Sequence, residues 1–302
     1  MTRIAHVSDL HVLDLHDVSP LRFLNKRATG WANLRFKRKH VHKPEALARV
    51  LDAVHDAKPD HLVITGDLTN LALESEFEAV RRVLAEVVRL PHDRISIIPG
   101  NHDAYTRGSA KSARFTSYFH DFAGSDRPEL AASIAVGKFP FVRFAGEDVA
   151  LIGLSSAIPQ LPMMAGGAIG KPQLEALGRV LQDPEVARRI PVLLVHHPLH
   201  APPTFWKQLS QGLQDSRALL AKVSALPVVF YLHGHLHQRL ERQLQNVRIF
   251  GATSASLLED DPHRRAGFNL YDFARRRVTA RAFVLPAAGE GAFEERALPY
   301  VA

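Results

Sequence analysis

Short runs of Val, Ile and Leu recur along the chain, and most of them end beside polar residues. Each run is four to six residues long, which is the usual length of a strand buried on both faces of a parallel sheet. The runs lie at Ile4–Val7, His61–Thr65, Ile95–Pro99, Val149–Leu154, Val192–Val195 and Val228–Leu232. We therefore expect a sheet whose strands are distributed over most of the chain.

Apolar residues with helical spacing fill the intervals between these runs. They predict helices at Pro44–Ala57, Leu73–Leu90, Pro172–Leu181 and Asp215–Val223. Strands that alternate with helices indicate the α/β class. Towards the C-terminus, strand patterns follow one another with little helix between them, at Arg248–Ser256, Gly267–Phe273 and Arg277–Leu285. That end of the chain predicts a second, antiparallel sheet.

Two segments interrupt the alternation, and both directly follow polar strand ends, where functional loops are common. Residues 15–43 are basic, and residues 104–140 are mixed and aromatic. We expect one domain over residues 1–302, with a basic insertion at about 15–43 and a cap segment at about 104–140. The aromatic residues of the second segment have helical spacing, which favours a packed helix face over a substrate wall: Phe115, Tyr118, Phe119 and Phe122.

The composition restricts the chemistry that the chain can support. It has 302 residues, is 46% hydrophobic and 23% charged, and so matches a soluble globular protein. It contains no Cys, which excludes disulfides and thiolate metal sites and fits a reducing compartment. With 17 His present, any transition-metal site must use His, Asp, Glu or Asn. The N-terminus lacks a secretory h-region and no long apolar stretch follows, so we expect a cytoplasmic protein.

The positive charge is concentrated in one segment. Residues 22–43 contain no Asp or Glu, and their cations exceed the net charge of +7, so the remainder is close to neutral. The cations are Arg22, Lys26, Arg27, Arg35, Lys37, Arg38, Lys39 and Lys43. A solvated loop is one interpretation. Large apolar residues such as Trp31 lie among the cations, which also suits an anionic membrane surface, a lipid-linked substrate or a nucleic acid. We expect Arg35, Lys37 and Arg38 to contact an anionic substrate.

Five of the predicted strands end beside side chains that commonly bind metals. In an open α/β sheet, ligands bind at the carboxyl ends of the strands. The set is too large for one ion and suits two ions that share a carboxylate. Gly66 and Gly100, each next to one of these residues, permit a tight turn or a close backbone approach. The residues are Asp9, His11, Asp67, Asn101, His102, His196, His235 and His237.

The ordered blocks Asp-x-His, Gly-Asp, Gly-Asn-His-Asp, His-His-Pro and Gly-His-x-His span residues 9 to 237. This set resembles the calcineurin-like metallophosphoesterase superfamily, and within it the bacterial class III cyclic-nucleotide and glycerophosphodiester phosphodiesterases. The resemblance implies a four-layer α/β/β/α sandwich of two mixed sheets flanked by helices. It also implies two divalent metal ions, with Mn, Fe and Zn as the candidates.

The resemblance further implies a role for each residue. Asp9, His11 and His237 would bind one ion; Asn101, His196 and His235 would bind the other; Asp67 would bridge them. His102 would face the scissile phosphate, Asp103 would help to orient it, and His197 would lie behind the ligands or face the substrate. The expected reaction is hydrolysis of a phosphate ester, most simply a diester, in which a metal-bound hydroxide attacks phosphorus and His102 assists the leaving group.

Other functions remain open at this point. The same superfamily includes pyrophosphohydrolases of nucleotide-linked lipids such as UDP-2,3-diacylglucosamine, and the basic, aromatic segment favours that chemistry. A binding scaffold with an incomplete metal site is disfavoured because no expected ligand is missing. The net charge alone suggests a nuclease. The sequence does not distinguish the substrates, the metals or the oligomeric state.

Overall fold

The computed structural model describes residues 1–19, 42–106, 108–109, 112–160, 164–199, 204, 207, 210–274 and 277–301. The strands in this part of the chain are β1 Thr2–Val7, β2 His61–Ile64, β3 Ile95–Ile97, β4 Ala132–Ile134, β5 Gly137–Phe139, β6 Phe141–Ala145, β7 Val149–Gly153, β8 Ile190–Leu194, β9 Val229–His233, β10 Leu240–Leu244, β11 Val247–Gly251, β12 Gly267–Ala274, β13 Arg277–Val284 and β14 Glu294–Ala297. The helices are α1 Pro44–Asp56, α2 Glu74–Val87, α3 Arg114–Phe119, α4 Lys171–Gln182, α5 Pro184–Ala187 and α6 Ser216–Val223. Short 3-10 turns lie at His92–Arg94 and Pro128–Leu130.

The strands form two large mixed sheets. In the described residues, the first sheet has the order β14-β13-β12-β1-β2-β3 and the second has the order β10-β11-β9-β8-β7-β6, while β4 and β5 pair separately. In the first sheet, β1, β2 and β3 are parallel. In the second sheet, β7, β8, β9 and β11 are parallel. Both sets of parallel strands therefore present their carboxyl ends as possible ligand sites.

Four layers follow from the way the side chains are buried. On β8, Val192 and Leu194 belong to the core between the two sheets, whereas Leu193 belongs to the core on the outer face of the second sheet. This alternation is expected because successive side chains of a strand point to opposite faces. Helices α1 and α2 pack on the first sheet through residues such as Val50 and Val80. Helices α4 and α6 cover the outer face of the second sheet. The order is therefore α/β/β/α.

The C-terminal strands differ from the prediction. They were expected to form an antiparallel sheet of their own, but β12 pairs antiparallel with β1, and β13 and β14 extend the same sheet. Strand β11 lies in the other sheet, parallel to β9. The reason is that β2 covers one edge of β1, and β12 satisfies the backbone groups of the remaining edge. Local pattern predicted the strands correctly but not their partners.

The aromatic segment packs as a helix face. Phe115 and Phe119 of α3 are buried, as is Phe122 just after it, and the ring of Phe119 lies against Phe77 of α2. Tyr118 stacks on the same Phe77 ring with a centroid distance of 5.4 Å. The prediction of a packed face over a substrate wall is confirmed for these residues. Whether residues 104–140 act as a cap stays a prediction.

Candidate metal centre

The carboxyl ends of five strands from both sheets meet in one place. Strands β1, β2 and β3 of the first sheet lead to Asp9, Asp67 and Asn101, while β8 and β9 of the second sheet lead to His196 and His235. Hydrogen bonds join the two sheets directly at this point. The Nδ1–H group of His196 donates to the Thr65 carbonyl at 2.7 Å, and the backbone N–H of His235 donates to Asp9 Oδ2 at 3.1 Å.

The backbone is strained at most of the predicted ligands. Non-glycine residues with a positive φ are uncommon, and each costs about 1–2 kcal/mol relative to the usual conformation. Here the loops after β1, β2 and β9 hold such residues at the site itself, and strain of this kind clusters at functional sites. These residues are Asp9 (φ 53°), His11 (48°), Asp67 (51°), His235 (66°) and His237 (49°).

One group of side chains gathers at the ends of β1 and β9. His237 Nε2 lies 3.1 Å from Asp9 Oδ1 and 3.1 Å from His11 Nε2. Asp9 and His11 are almost completely buried, and His237 is partly exposed. Two imidazole nitrogens and a carboxylate oxygen therefore converge here, and these are donor atoms that a divalent cation accepts.

A second group gathers at the ends of β3, β8 and β9. Asn101 Oδ1 lies 3.1 Å from His196 Nε2 and 3.1 Å from His235 Nδ1. His196 Nε2 also lies 3.4 Å from Asp67 Oδ2. Because the Nδ1 proton of His196 is donated to Thr65, the Nε2 atom of the neutral ring carries a lone pair that faces two oxygens. Either a second proton or a metal cation must satisfy that arrangement.

Asp67 belongs to both groups. Its carboxylate falls within the 4.8 Å cluster of Asp9 and His11, and also within the cluster of His196 and His235. Burial alone would raise the pKa of Asp67, but the rings of His196, His102 and His11 together outweigh it, and the pKa lies well below its usual range. Burial lowers the pKa of His196, but the charge and hydrogen bond of Asp67, together with Asp9 and the Thr65 carbonyl, outweigh it and raise the pKa to about 9. The carboxylate is therefore ionised and suited to bridging two cations.

The donor set fits divalent metals. Carboxylate, amide and imidazole groups suit ions such as Mn, Fe and Zn, and shared carboxylates are characteristic of two-metal sites. The sequence motifs thus predicted residues that the fold does bring together. Among the described residues, some His and acidic side chains form groups whose ligating atoms lie within 4.8 Å of one another. The members of these groups are Asp9, His11, His42, Asp67, His196, His235 and His237.

His102 lies at the edge of this centre. Its ring donates from Nδ1 to the Asn70 carbonyl at 2.6 Å, because a carbonyl oxygen can only accept. The ring stacks on Tyr105 with a centroid distance of 5.5 Å and meets the His11 ring edge-on at 5.2 Å. The ring is thus held next to His11, a candidate metal ligand, with the proton of the neutral form on Nδ1.

Asp103 follows His102 in the chain and was expected to help to orient it, which stays a prediction. The His102 ring itself donates to the Asn70 carbonyl. The Asp103 carboxylate accepts four hydrogen bonds, from the N–H groups of Leu68, Thr69 and Gly100 and from the Thr69 hydroxyl, at 2.9–3.2 Å. Burial raises the pKa of Asp103 to about 7, with the charge of Asp67 acting in the same direction. Asp103 therefore joins the loops after β2 and β3.

His197 lies behind the ligand groups. It is fully buried, and its Nε2–H group donates to the Ala165 carbonyl at 2.8 Å. Its Nδ1 atom consequently accepts from the Ser156 hydroxyl at 2.7 Å. Both ring nitrogens of His197 therefore bond to groups inside the protein. This geometry favours one of its two expected roles, which is to support the neighbouring His196 and His235, over contact with a substrate.

Two glycines allow the loops to approach one another. Gly66 has φ +92°, and a Cβ atom there would lie 2.5 Å from the backbone of Gly100. A Cβ atom on Gly100 would lie 2.2 Å from Asp67 Oδ1. The expectation that both positions require close approach is confirmed, since a side chain at either would displace the carboxylate or the loop that holds it.

His42 was missed by the sequence analysis. It lies two residues before the start of α1, and its ring centroid lies 4.7 Å from that of His11 and 5.8 Å from that of His237. No motif marks it, and its contacts are with residues far away in the chain. The one available signal was its position, since it falls within the basic segment that follows Asp9 and His11.

An apolar cavity adjoins the same side of the centre. It has a volume of about 620 Å³ and lies between the loop after β1 and helices α1 and α2. His11 and His42 line it next to the metal-ligand group, and Leu13, Leu47 and Val83 line it farther away. The expected substrate contacts Arg35, Lys37 and Arg38 lie outside the described residues, so their position relative to the cavity stays a prediction.

The chain belongs to the calcineurin-like phosphoesterase family, whose sequence model matches residues 2–239. It is accordingly a metallophosphoesterase, a hydrolase of phosphate esters. A relative from Vesicomyosocius okutanii subsp. Calyptogena okutanii (strain HA), named a probable cyclic nucleotide phosphodiesterase, is 25% identical over 228 residues. That match covers 74% of this chain and 82% of the relative.

Solved structures support the fold. A dimetal phosphatase from Danio rerio has a TM-score of 0.58 at 14% identity, over 93% of this chain and 95% of that chain. The purple acid phosphatase PPD1 from yellow lupin (Lupinus luteus) seeds has a TM-score of 0.60 at 10% identity, over 97% of this chain and 53% of that one. Within the described ranges, none of the helices is both long and apolar enough to cross a membrane.

Proposed function

We propose that this protein is a phosphodiesterase that works with two divalent cations. The observation that carries the proposal is the position of Asp67, whose carboxylate belongs to two separate groups of possible ligands. One ion would be held by Asp9, His11 and His237, the other by Asn101, His196 and His235, and Asp67 would be shared. When bound, such cations activate water as a nucleophile and neutralise the phosphate oxygens.

The surrounding residues would then orient the substrate and move a proton. With the proton of the neutral ring on Nδ1 and donated to the Asn70 carbonyl, Nε2 is the atom of His102 that can take up and release a proton. The ring lies edge-on to that of His11, a candidate ligand, so Nε2 is suited to protonating the leaving oxygen of the ester. Asp103 would keep His102 in place indirectly, since it holds the loops that carry His102 and Asn70.

The preference for diesters rests on similarity. The relative that is 25% identical is named a probable cyclic nucleotide phosphodiesterase, and the motif set resembles the same group of enzymes. A direct test is a substrate panel on manganese-loaded protein. It would compare a nitrophenyl phosphate monoester, the corresponding diester, cyclic AMP and glycerophosphodiesters. We expect the highest kcat/KM among the diesters, and a preference for the monoester would overturn the proposal.

The apolar cavity favours a second candidate function. A phosphodiester or pyrophosphate that carries acyl chains would place its phosphate at the metal centre and its chains against Leu13, Leu47 and Val83. The basic segment 22–43 would add attraction for an anionic substrate at a membrane surface. UDP-2,3-diacylglucosamine belongs in the same panel, next to the nucleotide sugar without acyl chains. Equal turnover of the two would exclude a role for the cavity in recognition.

A further inference from the structure

His42 is fixed in place although it lies far in the chain from the groups that hold it. The Lys43 N–H donates to the Ser256 carbonyl at 2.8 Å, and His42 forms a β-bridge with Leu257. Its ring faces His11 and His237, and one nitrogen from each of these three rings lies within 4.8 Å of the other two. The ring therefore borders the ligand group at the ends of β1 and β9.

Two serine hydroxyls lie beside Nδ1 of His42. The Asp9 carbonyl can only accept, so the Ser254 hydroxyl donates its single proton to it at 2.6 Å. The Ser254 oxygen is then an acceptor, and the Ser256 hydroxyl, the Ser256 N–H and His42 Nδ1 lie 3.2, 3.4 and 3.4 Å from it. When the Ser256 hydroxyl donates to Ser254, its own oxygen accepts from His42 Nδ1–H at 2.8 Å. In this arrangement the neutral His42 ring carries its lone pair on Nε2.

This arrangement is the one that metal-binding histidines use. Such a residue donates its Nδ1 or Nε2 proton to a neighbouring polar group, which fixes the tautomer and presents the other nitrogen to the ion. His196 follows the same rule through Thr65. His197 does not, because a carbonyl and a hydroxyl use both of its nitrogens, even though its ring lies only 4.6 Å from that of His235. Proximity of rings alone therefore does not select a ligand. The ring nitrogens must also converge, as those of His11, His42 and His237 do.

We propose that Nε2 of His42 is a further ligand of the cation held by Asp9, His11 and His237. The inference rests on the proposed two-metal function and adds a residue that the sequence motifs do not contain. The two cations would then differ in their surroundings, since this one gains a third imidazole. Because His42 belongs to the basic segment 22–43, its coordination would also attach the end of that segment to the metal centre.

Metal binding itself provides the test. Metal-free protein would be titrated with Mn²⁺ by calorimetry and with Co²⁺ by visible absorption, for the wild type and for His42→Ala and His42→Gln. We expect two ions in the wild type, and a loss of affinity of about 10-fold or more for one of them in both variants. The Co²⁺ absorption of that ion should shift because a nitrogen ligand is lost.

Two further variants separate coordination from structural effects. Ser256→Ala keeps the imidazole but removes its hydrogen-bond partner, so we expect a smaller loss of affinity for the same ion. His16→Ala changes an exposed histidine near the start of the basic insertion, and it should bind both ions as the wild type does. Circular dichroism confirms that each variant is folded, and His42→Gln decides the question if His42→Ala is not.

The possible failures are distinguishable. Wild-type affinities for both ions and an unchanged Co²⁺ spectrum in His42→Ala and His42→Gln would overturn the inference while leaving the two-metal function intact. A wild-type protein that does not bind two ions would instead overturn the proposed function, and the inference with it.

Discussion

The Oδ1 atom of Asp67 accepts a hydrogen bond from the backbone N–H of His102 at 2.8 Å. The other oxygen of the same carboxylate faces His196 at 3.4 Å. One side chain thus holds the loop that carries the proposed proton donor and also belongs to both groups of candidate metal ligands. A change at Asp67 should affect metal binding and the position of His102 together.

Asp67→Asn separates these two effects. The amide oxygen can still accept from the His102 N–H, but the negative charge that both cations would share is lost. We expect the protein to retain fewer than two metal ions and kcat/KM to fall by more than about 100-fold. Elemental analysis of the purified protein and diester hydrolysis measure the two effects. Asp52→Asn, on the exposed side of α1, is the control; full metal content in Asp67→Asn would contradict the assignment.

His102→Gln should reduce turnover without removing metal. General acid catalysis contributes about 10²–10⁴-fold, and its loss is greatest when the leaving oxygen needs a proton. We therefore expect a large fall in kcat for diesters with alkyl leaving groups and a small one for a nitrophenyl diester. Comparison of the two substrates, with metal content measured in parallel, tests the role. An equal loss for both substrates would argue against proton donation by His102.

Asp103→Asn should destabilise the fold more than it alters the chemistry. The carboxylate accepts four hydrogen bonds, and an amide group would turn its NH₂ towards backbone N–H donors. The expected loss of unfolding free energy is about 2 kcal/mol, since a buried donor is left without an acceptor. Urea unfolding measures it, with the exposed Asp93→Asn as the control. Unchanged stability would show that the two loops do not depend on this carboxylate.

Glu76 should make stability depend on pH. Burial raises the pKa of Glu76 from 4.5 to about 8, although its Oε2 accepts from the N–H groups of Leu71 and Leu73 at the start of α2. The folded state therefore holds a proton that the unfolded state releases above pH 4.5. The contribution to stability is complete below pH 4.5 and decreases by about 1.4 kcal/mol per pH unit as the pH rises towards 8, where it levels off.

Glu76→Gln keeps this position neutral at every pH. Its unfolding free energy relative to the wild type should increase between pH 5 and pH 8 and stay constant above that. Urea unfolding of both proteins across this range measures the difference, and the subtraction removes the titration of other groups. A difference that is independent of pH would mean that Glu76 is ionised in the folded protein.

Val83→Arg should affect an acylated substrate selectively. The side chain would enter the apolar cavity beside α2, so we expect a rise in KM for UDP-2,3-diacylglucosamine and little change for a small nitrophenyl diester. Ala85→Arg, on the exposed side of the same helix, has the same added charge and is the matched control. Equal KM values in the two variants would show that acyl chains do not occupy the cavity.

Local sequence patterns identified residues that the fold brings together, because these candidate metal ligands follow strands. Asp9, Asp67 and His235 each come just after a buried apolar run, and parallel strands place their carboxyl ends at one edge of a sheet. Spacing of one residue, as in Asp9 and His11, put two ligands in the same loop. The left-handed backbone at these positions could not be foreseen, because Asp and His seldom adopt it without external constraints.

The same local patterns could not predict which strands pair with one another when they are far apart in the chain. The run at residues 267–273 predicted a strand, but its partner β1 lies more than 260 residues earlier, and only the whole fold determines which edge it covers. His42 was missed for the same reason, since Ser256, whose hydroxyl lies 2.8 Å from its Nδ1 atom, is 214 residues away. The sequence could not predict the four hydrogen bonds that Asp103 accepts, because they depend on how closely the loops after β2 and β3 approach each other.

The pairing of β1 with β12 bears on the order in which the protein can assemble during synthesis. Strand β1 acquires one of its two neighbours only after β12, which ends at Ala274, has been made. Closing so long a loop is entropically costly, and folds dominated by distant contacts form slowly. Asp9, whose carbonyl is held by Ser254, cannot adopt its final geometry before then. A nascent chain shorter than this should therefore bind metal poorly, and capture of the ions becomes a late event that marks completion of the fold.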